Sequence, residues 1–347
     1  MKKLYFASDY QEGAHPSILK RLSEINCEKY TGYGSDTICA SAKEKIRAAC
    51  KSPDAEIYFL VGGTQTNTVI ISSLLHPWQG VIAPETGHIA LHEAGSIEAC
   101  GHKVLPVPAK DGKITASDIQ CLLETWHGDA NREHMVMPGM VYLSQPTESG
   151  TLYSRSELTA ISNLCRAWQI PLYIDGARLA YALACPENDV TLADLASLTD
   201  VFYIGGTKCG ALLGEAVVIP SPGLIPHLFT LIKQHGALLA KGWIAGVQFD
   251  ELFTDGLYEK IGDPAIEAAD RIRAVLTQKG IPLCFGSPTN QVFCCMPDPV
   301  LRMLDDKVEY SFWETYDADH TIIRFAASWA ATKEDTDQLI NLLNDLL

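Results

Sequence analysis

The chain has 347 residues, of which 47% are hydrophobic and 20% charged, the composition of an ordinary globular protein. A formal net charge of −15 argues against nucleic acid or an anionic membrane as a partner. The sequence has no apolar run of the length that a signal peptide or a membrane span needs. Its 11 cysteines are odd in number and lack zinc-site spacing. We therefore expect a cytoplasmic protein with reduced thiols, two structural units and no metal site.

Short apolar runs alternate with amphipathic helical patterns from about residue 36 to residue 250, which is typical of an α/β protein with a mainly parallel sheet. Ser154 and Glu157 form a capping box, which predicts a helix that ends at about Trp168. A longer helical pattern covers 224–253, and after residue 263 the predicted order is helix, strand, helix, strand, helix. We expect a large domain over residues 1–255 and a small α+β domain over residues 256–347. The predicted strands are 57–61, 81–83, 104–107, 140–143, 172–174, 201–204 and 216–219.

Two of these strands lead into residues that carry chemistry. Asp175 follows the strand at 172–174, and Lys208 follows the strand at 201–204 after two glycines and a threonine. Ligands of open α/β sheets bind beyond the carboxyl ends of the strands, so both side chains are expected in one crevice. A pyridoxal 5′-phosphate (PLP) enzyme needs a lysine amine and a carboxylate for its cofactor. Alone, each residue would be interpreted as a turn residue or a solvated lysine, but together they indicate a PLP site.

Two further features support a cofactor in this crevice. Gly63 begins a predicted helix directly after the strand at 57–61, and the free amides of a helix start suit a phosphate group. His88 follows the strand at 81–83 and has a side chain that stacks on flat rings or exchanges protons near neutral pH. Three other histidines are interpreted as structural: His92, His102 and His127.

Several segments together resemble a known family. In chain order they are 8–10, 13–16, 32–36, 62–67, 87–89, 92–93, 101–103, 175–179, 202–208, 214–216 and 323–325. This set resembles the threonine aldolases of the β-eliminating lyase group, PLP enzymes of the aspartate-aminotransferase-like fold, and the resemblance extends over essentially the whole chain. It implies a PLP-dependent transferase-like (fold type I) large domain with a mainly parallel seven-stranded sheet, and a small α+β C-terminal domain.

The resemblance also implies roles for single residues at the cofactor. Lys208 forms the Schiff base with PLP, Asp175 pairs with the pyridine nitrogen, and His88 stacks on the ring. A basic residue from a neighbouring subunit joins the phosphate, for which Lys233 and Lys241 are both candidates. This sharing implies a homo-oligomer, a dimer or a tetramer built from dimers, with its sites at the subunit interfaces. The remaining implied cofactor contacts are Gly63, Thr64, Gln65, Arg178 and Thr207.

For the substrate, the resemblance implies a carboxylate site and a pocket that contains Tyr33. The implied carboxylate contacts are Ser8, Arg178 and Arg324. Arginine suits this role because its planar fork binds a carboxylate through two hydrogen bonds. Arg324 also lies in an apolar strand pattern, where an unpaired charge would be costly.

The implied activity is cleavage of L-threonine and L-allo-threonine to glycine and an aldehyde. Some branches of the family have a histidine near the substrate hydroxyl where this sequence has Glu148, so the group that removes the hydroxyl proton is Glu148, His88 or an ordered water. The alternatives are phenylserine aldolase, β-eliminating lyase and aminotransferase activities on the same scaffold, or a non-catalytic PLP-binding protein.

Overall fold

The computed structural model describes residues 3–347. Its strands are β1 (Leu4–Tyr5), β2 (Glu56–Leu60), β3 (Gln79–Pro84), β4 (Val104–Val107), β5 (Met137–Ser144), β6 (Leu172–Asp175), β7 (Val201–Gly205), β8 (Glu215–Ile219), β9 (Gln291–Pro297), β10 (Val308–Glu309), β11 (Ser311–Thr315) and β12 (His320–Ala326).

The helices α1 to α8 are Pro16–Glu24, Thr37–Ala49, Gly63–Leu74, His88–Leu91, Ser96–Ala99, Ala116–Gly128, Arg155–Trp168 and Leu179–Ala184. The helices α9 to α15 are Leu192–Leu198, Leu228–Gln234, Trp243–Leu252, Leu257–Lys260, Asp263–Gln278, Asp298–Leu304 and Lys333–Leu346, and a short 3-10 helix covers Arg132–His134. Within residues 3–347, no helix has both the length and the apolarity to cross a bilayer.

Seven strands form the large sheet in the order β2-β8-β7-β6-β5-β3-β4. All neighbouring pairs are parallel except those of β8, which is antiparallel to both β2 and β7. All residues of β7 and β8 are buried, which explains their nearly continuous apolar sequences. Alternate side chains of the central strands enter two hydrophobic cores on opposite faces of the sheet. The predicted α/β fold with a mainly parallel seven-stranded sheet is confirmed.

Two helix predictions can be compared with the helices of the structure. The capping box of Ser154 and Glu157 begins α7, which ends at Trp168 as predicted. The helical stretch predicted over 224–253, with interruptions at Gly236, Gly242 and Gly246, forms α10 and α11 with a non-helical connection between them. Gly236, two residues after α10, has a φ of +67°, and this left-handed conformation ends a helix rather than extending it.

A smaller antiparallel sheet has the order β11-β12-β9. The sequence pattern after residue 263 predicted one strand between the last two helices, whereas the structure has β10 and the hairpin of β11 and β12 there. The N-terminal strand β1 pairs with β10, and Leu4 and Phe6 pack into the core of this C-terminal part. The division of the chain into two domains between residues 255 and 256 stays a prediction. The N-terminal segment runs along the small sheet toward Asp9.

Candidate active site

Asp175 and Lys208 lie close together because Gly176 and Gly205 allow the backbones at the ends of β6 and β7 to approach each other. The amide of Gly205 donates to the carbonyl of Gly176 over 3.0 Å. A Cβ on Gly176 would lie 2.0 Å from the carbonyl oxygen of Tyr203, and a Cβ on Gly205 would lie 2.4 Å from that of Ala177. No other residue fits either position without a backbone shift, so the glycines determine how near the two functional groups lie.

Both side chains line a small inner cavity of about 70 Å³. Six residues predicted for the site lie on its wall: Gly63, His88, Glu148, Asp175, Thr207 and Lys208. Three further wall residues were not predicted: Ala177, Tyr203 and Glu215. The structure therefore brings together the lysine, the carboxylate, the histidine and the helix start that the sequence indicated.

Asp175 is buried and has a partner for each carboxylate oxygen. Oδ2 accepts from the hydroxyl of Tyr142 over 2.7 Å and from the amide of Asn67 over 3.1 Å. Oδ1 accepts from the hydroxyl of Tyr203 and from the backbone amide of Ala177. Burial alone would raise the pKa of Asp175, but the charge of His88 and the tyrosine hydrogen bonds hold that pKa below its usual value. Asp175 is thus an anion, ready to pair with a cationic ring nitrogen.

A buried amide links this carboxylate to His88. Asn67 Nδ2 donates to Glu93 Oε1 over 2.7 Å as well as to Asp175, and Tyr173 fixes the amide by donating to its oxygen. Glu93 Oε1 is also 2.8 Å from His88 Nδ1. Burial opposes the charged imidazole, but the hydrogen bond to Glu93 raises the pKa of His88 overall. Asn67 and Glu93 fall in matching family segments, yet their types alone did not signal this role.

The start of α3 provides backbone donors at the inner cavity. The first intrahelical bond joins the amide of Thr66 to the carbonyl of Gly62, so the amides of residues 63–65 are the free donors of the helix start. A Cβ on Gly63 would lie 3.1 Å from the hydroxyl oxygen of Tyr203, so a side chain at this position would be crowded. The side chains of Thr64 and Gln65 play no part in the wall, since Thr64 is exposed and Gln65 accepts from the amide of Val61. The geometry therefore fits an anion bound by the backbone.

A larger outer cavity of about 590 Å³ shares His88, Glu148 and Lys208 with the inner one. Arg178, at the start of α8, lies on its wall and is bound by the buried Asp9, with Nε to Oδ2 at 2.6 Å and Nη2 to Oδ1 at 3.0 Å. Arg178 Nη1 is 3.6 Å from Glu148 Oε2. Burial would raise the pKa of Asp9, but the charge of Arg178 lowers it to about 2. Sequence reasoning missed Asp9, whose partner is 169 residues away.

Arg324 lies on the same wall, on β12 of the small sheet. Its guanidinium donates to Gln291 Oε1 over 2.9 Å, to the carbonyl of Ala7 over 3.0 Å and to Ser311 Oγ over 3.1 Å. Burial and then the nearby charge of Arg178 lower the pKa of Arg324. Ser8 lies in the N-terminal segment between Ala7, which contacts Arg324, and Asp9, which contacts Arg178. It is not among the described residues that line either cavity. Two arginine side chains thus face one cavity, as a carboxylate ligand requires.

Aromatic side chains form the rest of this wall. Trp313 lies with its ring 5.9 Å from the guanidinium carbon of Arg324 and 6.2 Å from the ring of His92. Phe312 and Tyr10 lie nearer the mouth and are exposed. Sequence reasoning missed Trp313 because the hairpin was not predicted, and it interpreted His92 as structural. His92 instead lines the cavity, with its ring 5.8 Å from that of His88.

Three predicted site residues lie elsewhere on the chain. Tyr33 is exposed, and Lys233 lies with its ammonium 4.8 Å from the centre of the tyrosine ring. Tyr33 lines a separate cleft with Tyr58 and Phe229, and Lys241 is exposed nearby. Of the described residues on the two cavity walls, none is Tyr33, Lys233 or Lys241. The sequence predicted one of the two lysines at a neighbouring subunit's phosphate and Tyr33 in the substrate pocket, and these roles stay predictions. No cluster of three or more potential metal ligands occurs within residues 3–347.

The fold and the lysine at the strand end define a class of enzyme with the aspartate-aminotransferase-like fold. A variant of aspartate aminotransferase from Thermus thermophilus superposes with a TM-score of 0.72 over 99% of this chain and 92% of its own, at 15% identity. Residues 6–294 match the model of the β-eliminating lyase family, and the chain belongs to that family. The resemblance drawn from the sequence motifs is confirmed, and the chain is a lyase.

Two relatives are more similar. A low-specificity L-threonine aldolase from a Pseudomonas species is 30% identical over 336 residues, which are 93% of this chain and 92% of the relative. The solved threonine aldolase of Leishmania major is 42% identical, with a TM-score of 0.96 and 99% of both chains covered. This chain is therefore similar to threonine aldolases over its entire length.

Proposed function

We propose that this lyase is a PLP-dependent aldolase that cleaves L-threonine and L-allo-threonine, and related β-hydroxy-α-amino acids, to glycine and an aldehyde. One observation carries the proposal: Lys208 lies where the inner cavity, with its carboxylate and helix start, meets the outer cavity, with its two arginines. Groups suited to a phosphorylated cofactor and groups suited to a substrate carboxylate thus converge on one amine. The full-length similarity to threonine aldolases supports the substrate class.

The described residues fit PLP. The amides at Gly63 would hold its phosphate, Asp175 would pair with its ring nitrogen, His88 would cover the ring and Lys208 would form the covalent link. When bound, PLP supplies an acceptor for the electron pair released as a Cα–Cβ bond breaks. The four partners of Asp175 keep that carboxylate ionised and in place, where it would favour a protonated ring nitrogen.

The outer cavity would orient the amino acid. Arg324 and Arg178 would bind its carboxylate, with Ser8 in the segment beside them. Asp9 accepts from Nε and from one N–H of Nη2 of Arg178, so the second N–H of Nη2 and both of Nη1 stay available for other partners. We therefore propose that both arginines bind the carboxylate, with Arg178 held in a fixed orientation by Asp9. Such orientation also sets which substituent of Cα lies toward Glu148 and His88.

The β-hydroxyl proton needs an acceptor, and Glu148, His88 and an ordered water stay the candidates. Glu148 lines both cavities, and its Oε2 lies 3.6 Å from Nη1 of Arg178. His88 is bound through Nδ1 to Glu93, and its raised pKa increases the fraction that is already protonated and cannot accept a proton. The geometry therefore supports Glu148 over His88 for this step.

We also propose that the protein is a cytoplasmic homo-oligomer, a dimer or a tetramer. Tyr33 and Lys233 form an exposed pair away from their own chain's cavities, as residues destined for a neighbouring site would. Comparing Lys233→Ala with Lys241→Ala for PLP affinity, alongside light scattering of both variants, tests which lysine reaches the phosphate. Unchanged PLP affinity in both variants would rule out a lysine from this region.

The test of activity is aldehyde release in the presence of PLP. Acetaldehyde should form from L-threonine and L-allo-threonine, and not from D-threonine as control. Benzaldehyde from phenylserine as the dominant product would point to the aryl-specific aldolase, ammonia with a keto acid to β-elimination, and keto acid only with an amino acceptor to transamination. A Lys208-dependent absorbance without any turnover would leave a non-catalytic PLP-binding protein.

A further inference from the structure

Glu215 lies on the wall of the inner cavity. It is the first residue of β8, and its strand partners are Leu60 on β2 and Gly205 on β7. The first of these strands leads to Gly63 at the start of α3, and the second leads to Lys208. Glu215 therefore faces a site where the backbone donors of a helix and the reactive lysine meet.

The side chain is buried, with 3% of its surface exposed, and it lines the inner cavity. Its Oε2 accepts from the amide of Gly206 over 3.0 Å. The groups that influence its pKa include Thr207, Lys208 and Asp175. Tyr173, Tyr203, Cys209 and Tyr258 are buried groups from the neighbouring elements that also interact with its charge. Lys208 is the one lysine or arginine among the described residues on the cavity wall.

We propose that Glu215 is a neutral carboxylic acid in the loaded enzyme and donates a hydrogen bond to the phosphate of the cofactor. This proposal rests on the proposed function, since it takes PLP as the ligand. An ionised carboxylate beside a phosphate dianion in a buried site would repel it, with Lys208 already engaged by the aldehyde end of the cofactor. A protonated carboxyl instead adds a donor to the amides of α3.

The chemistry of the free protein agrees with this role. Burial raises the pKa of Glu215 to about 8, although Thr207, Gly206 and Lys208 act in the opposite direction. A bound phosphate would raise this pKa further, because it disfavours the ionised form. By linkage, PLP affinity should be unaffected by Glu215 below the pKa of the free protein and should fall as the pH rises through that value.

The experiment measures PLP dissociation constants of the parent protein, Glu215→Gln and Glu215→Ala by absorbance titration from about pH 7 to about pH 9.5. Glutamine keeps the shape, an acceptor for Gly206 and a neutral donor. The parent and Glu215→Gln should bind PLP equally near neutral pH. Near the upper limit of the pH range, the parent should bind PLP about tenfold more weakly than Glu215→Gln. Glu215→Ala should bind roughly tenfold more weakly already at neutral pH, because it has no donor.

Pyridoxal, which has no phosphate, is the matched probe. With pyridoxal, the ratio of parent to Glu215→Gln constants should not change with pH. A pH-independent ratio with PLP overturns the proposal, and so does the same pH dependence with both ligands, because Glu215 would then act on Lys208. Thermal unfolding of the free proteins checks that the variants are folded. If the parent forms no Lys208-dependent absorbance with PLP, both this proposal and the proposed function are overturned.

Discussion

The inner and outer cavities adjoin at Lys208 but are built in different ways. The inner wall consists mainly of residues at the ends of the large sheet's strands and at the starts of helices. Three of its polar residues, Asp175, Tyr203 and Glu215, are buried and have hydrogen-bond partners. The outer wall draws on the N-terminal segment, α4 and the β11–β12 hairpin, and includes Phe312 with 65% of its surface exposed. The first region is suited to hold one group in one orientation, and the second to accept side chains of different sizes.

The difference assigns separate tasks to the two regions. Electrostatic preorganisation at Asp175 and Lys208 depends on rigid neighbours, so changes there should affect chemistry itself. The hairpin wall contributes contact area and orientation, so changes there should affect which amino acid is used and how tightly it binds. Four substitutions test this division.

Lys208→Ala should have the largest effect, because the variant loses the amine at which both cavities meet. Turnover of L-threonine should fall to the background rate, and the absorbance of the lysine-linked cofactor should be absent. Acetaldehyde assays and absorbance spectra measure both, with the exposed Lys20→Ala as control. Parent-like threonine cleavage by Lys208→Ala would remove this lysine from the mechanism.

Arg324→Ala should raise the KM for threonine about 100-fold, as expected when a charged hydrogen-bonding group in a buried site is lost. PLP affinity should change less than about threefold, because Arg324 lies on the outer wall only. Steady-state kinetics and PLP titration separate the two quantities, and Arg302→Ala, an exposed arginine on α14, is the control. An unchanged KM would exclude Arg324 from carboxylate binding.

Asp9→Asn should raise the KM roughly tenfold, because Arg178 loses its bidentate partner. It should also lower the free energy of unfolding by about 2 kcal/mol at neutral pH. The folded-state pKa of about 2 is below the unfolded value, so this stabilisation is present above the unfolded pKa and is lost as the pH falls through the folded one. The stability difference between parent and variant should therefore shrink between about pH 5 and pH 2 in denaturant titrations. The control is the exposed Asp306→Asn, and a difference independent of pH would contradict this account.

Trp313→Leu should have the smallest effect and the most selective one. Leucine keeps an apolar wall but removes the aromatic face, so kcat/KM for phenylserine should fall about fivefold while that for threonine changes less than twofold. Both are measured from aldehyde release. The matched control is Trp78→Leu, since Trp78 is exposed and lies on a loop before β3. Equal losses for both substrates would show that Trp313 acts through Arg324 instead of through the substrate side chain.

The inner cavity could largely be predicted from the sequence because its signals are local. A lysine after two glycines, an acid at a strand end and a glycine at a helix start each follow a short apolar run, and the parallel sheet brings such ends together. Glu215 is a charged residue at the start of an apolar strand, a pattern comparable to the one that indicated Arg324. The sequence interpretation did not include Glu215 as a site residue.

The outer cavity could not be predicted in the same way. Asp9 and Arg178 are 169 residues apart in the chain, and no local pattern indicates a partner at that distance. Trp313 lies on β11, and the sequence pattern predicted a single strand where the structure has β10, β11 and β12. The proposed role of Lys233 or Lys241 involves a second subunit, so neither a local pattern nor a single chain decides it.

The contact between Gly176 and Gly205 has a consequence for protein engineering. The spacing of Asp175 and Lys208 follows from the absence of two side chains, so grafting the acid and the lysine onto another sheet would not reproduce the site. Both glycines would have to be transferred with them. In a library of variants, these two positions should tolerate fewer replacements than the polar residues whose chemistry they make possible.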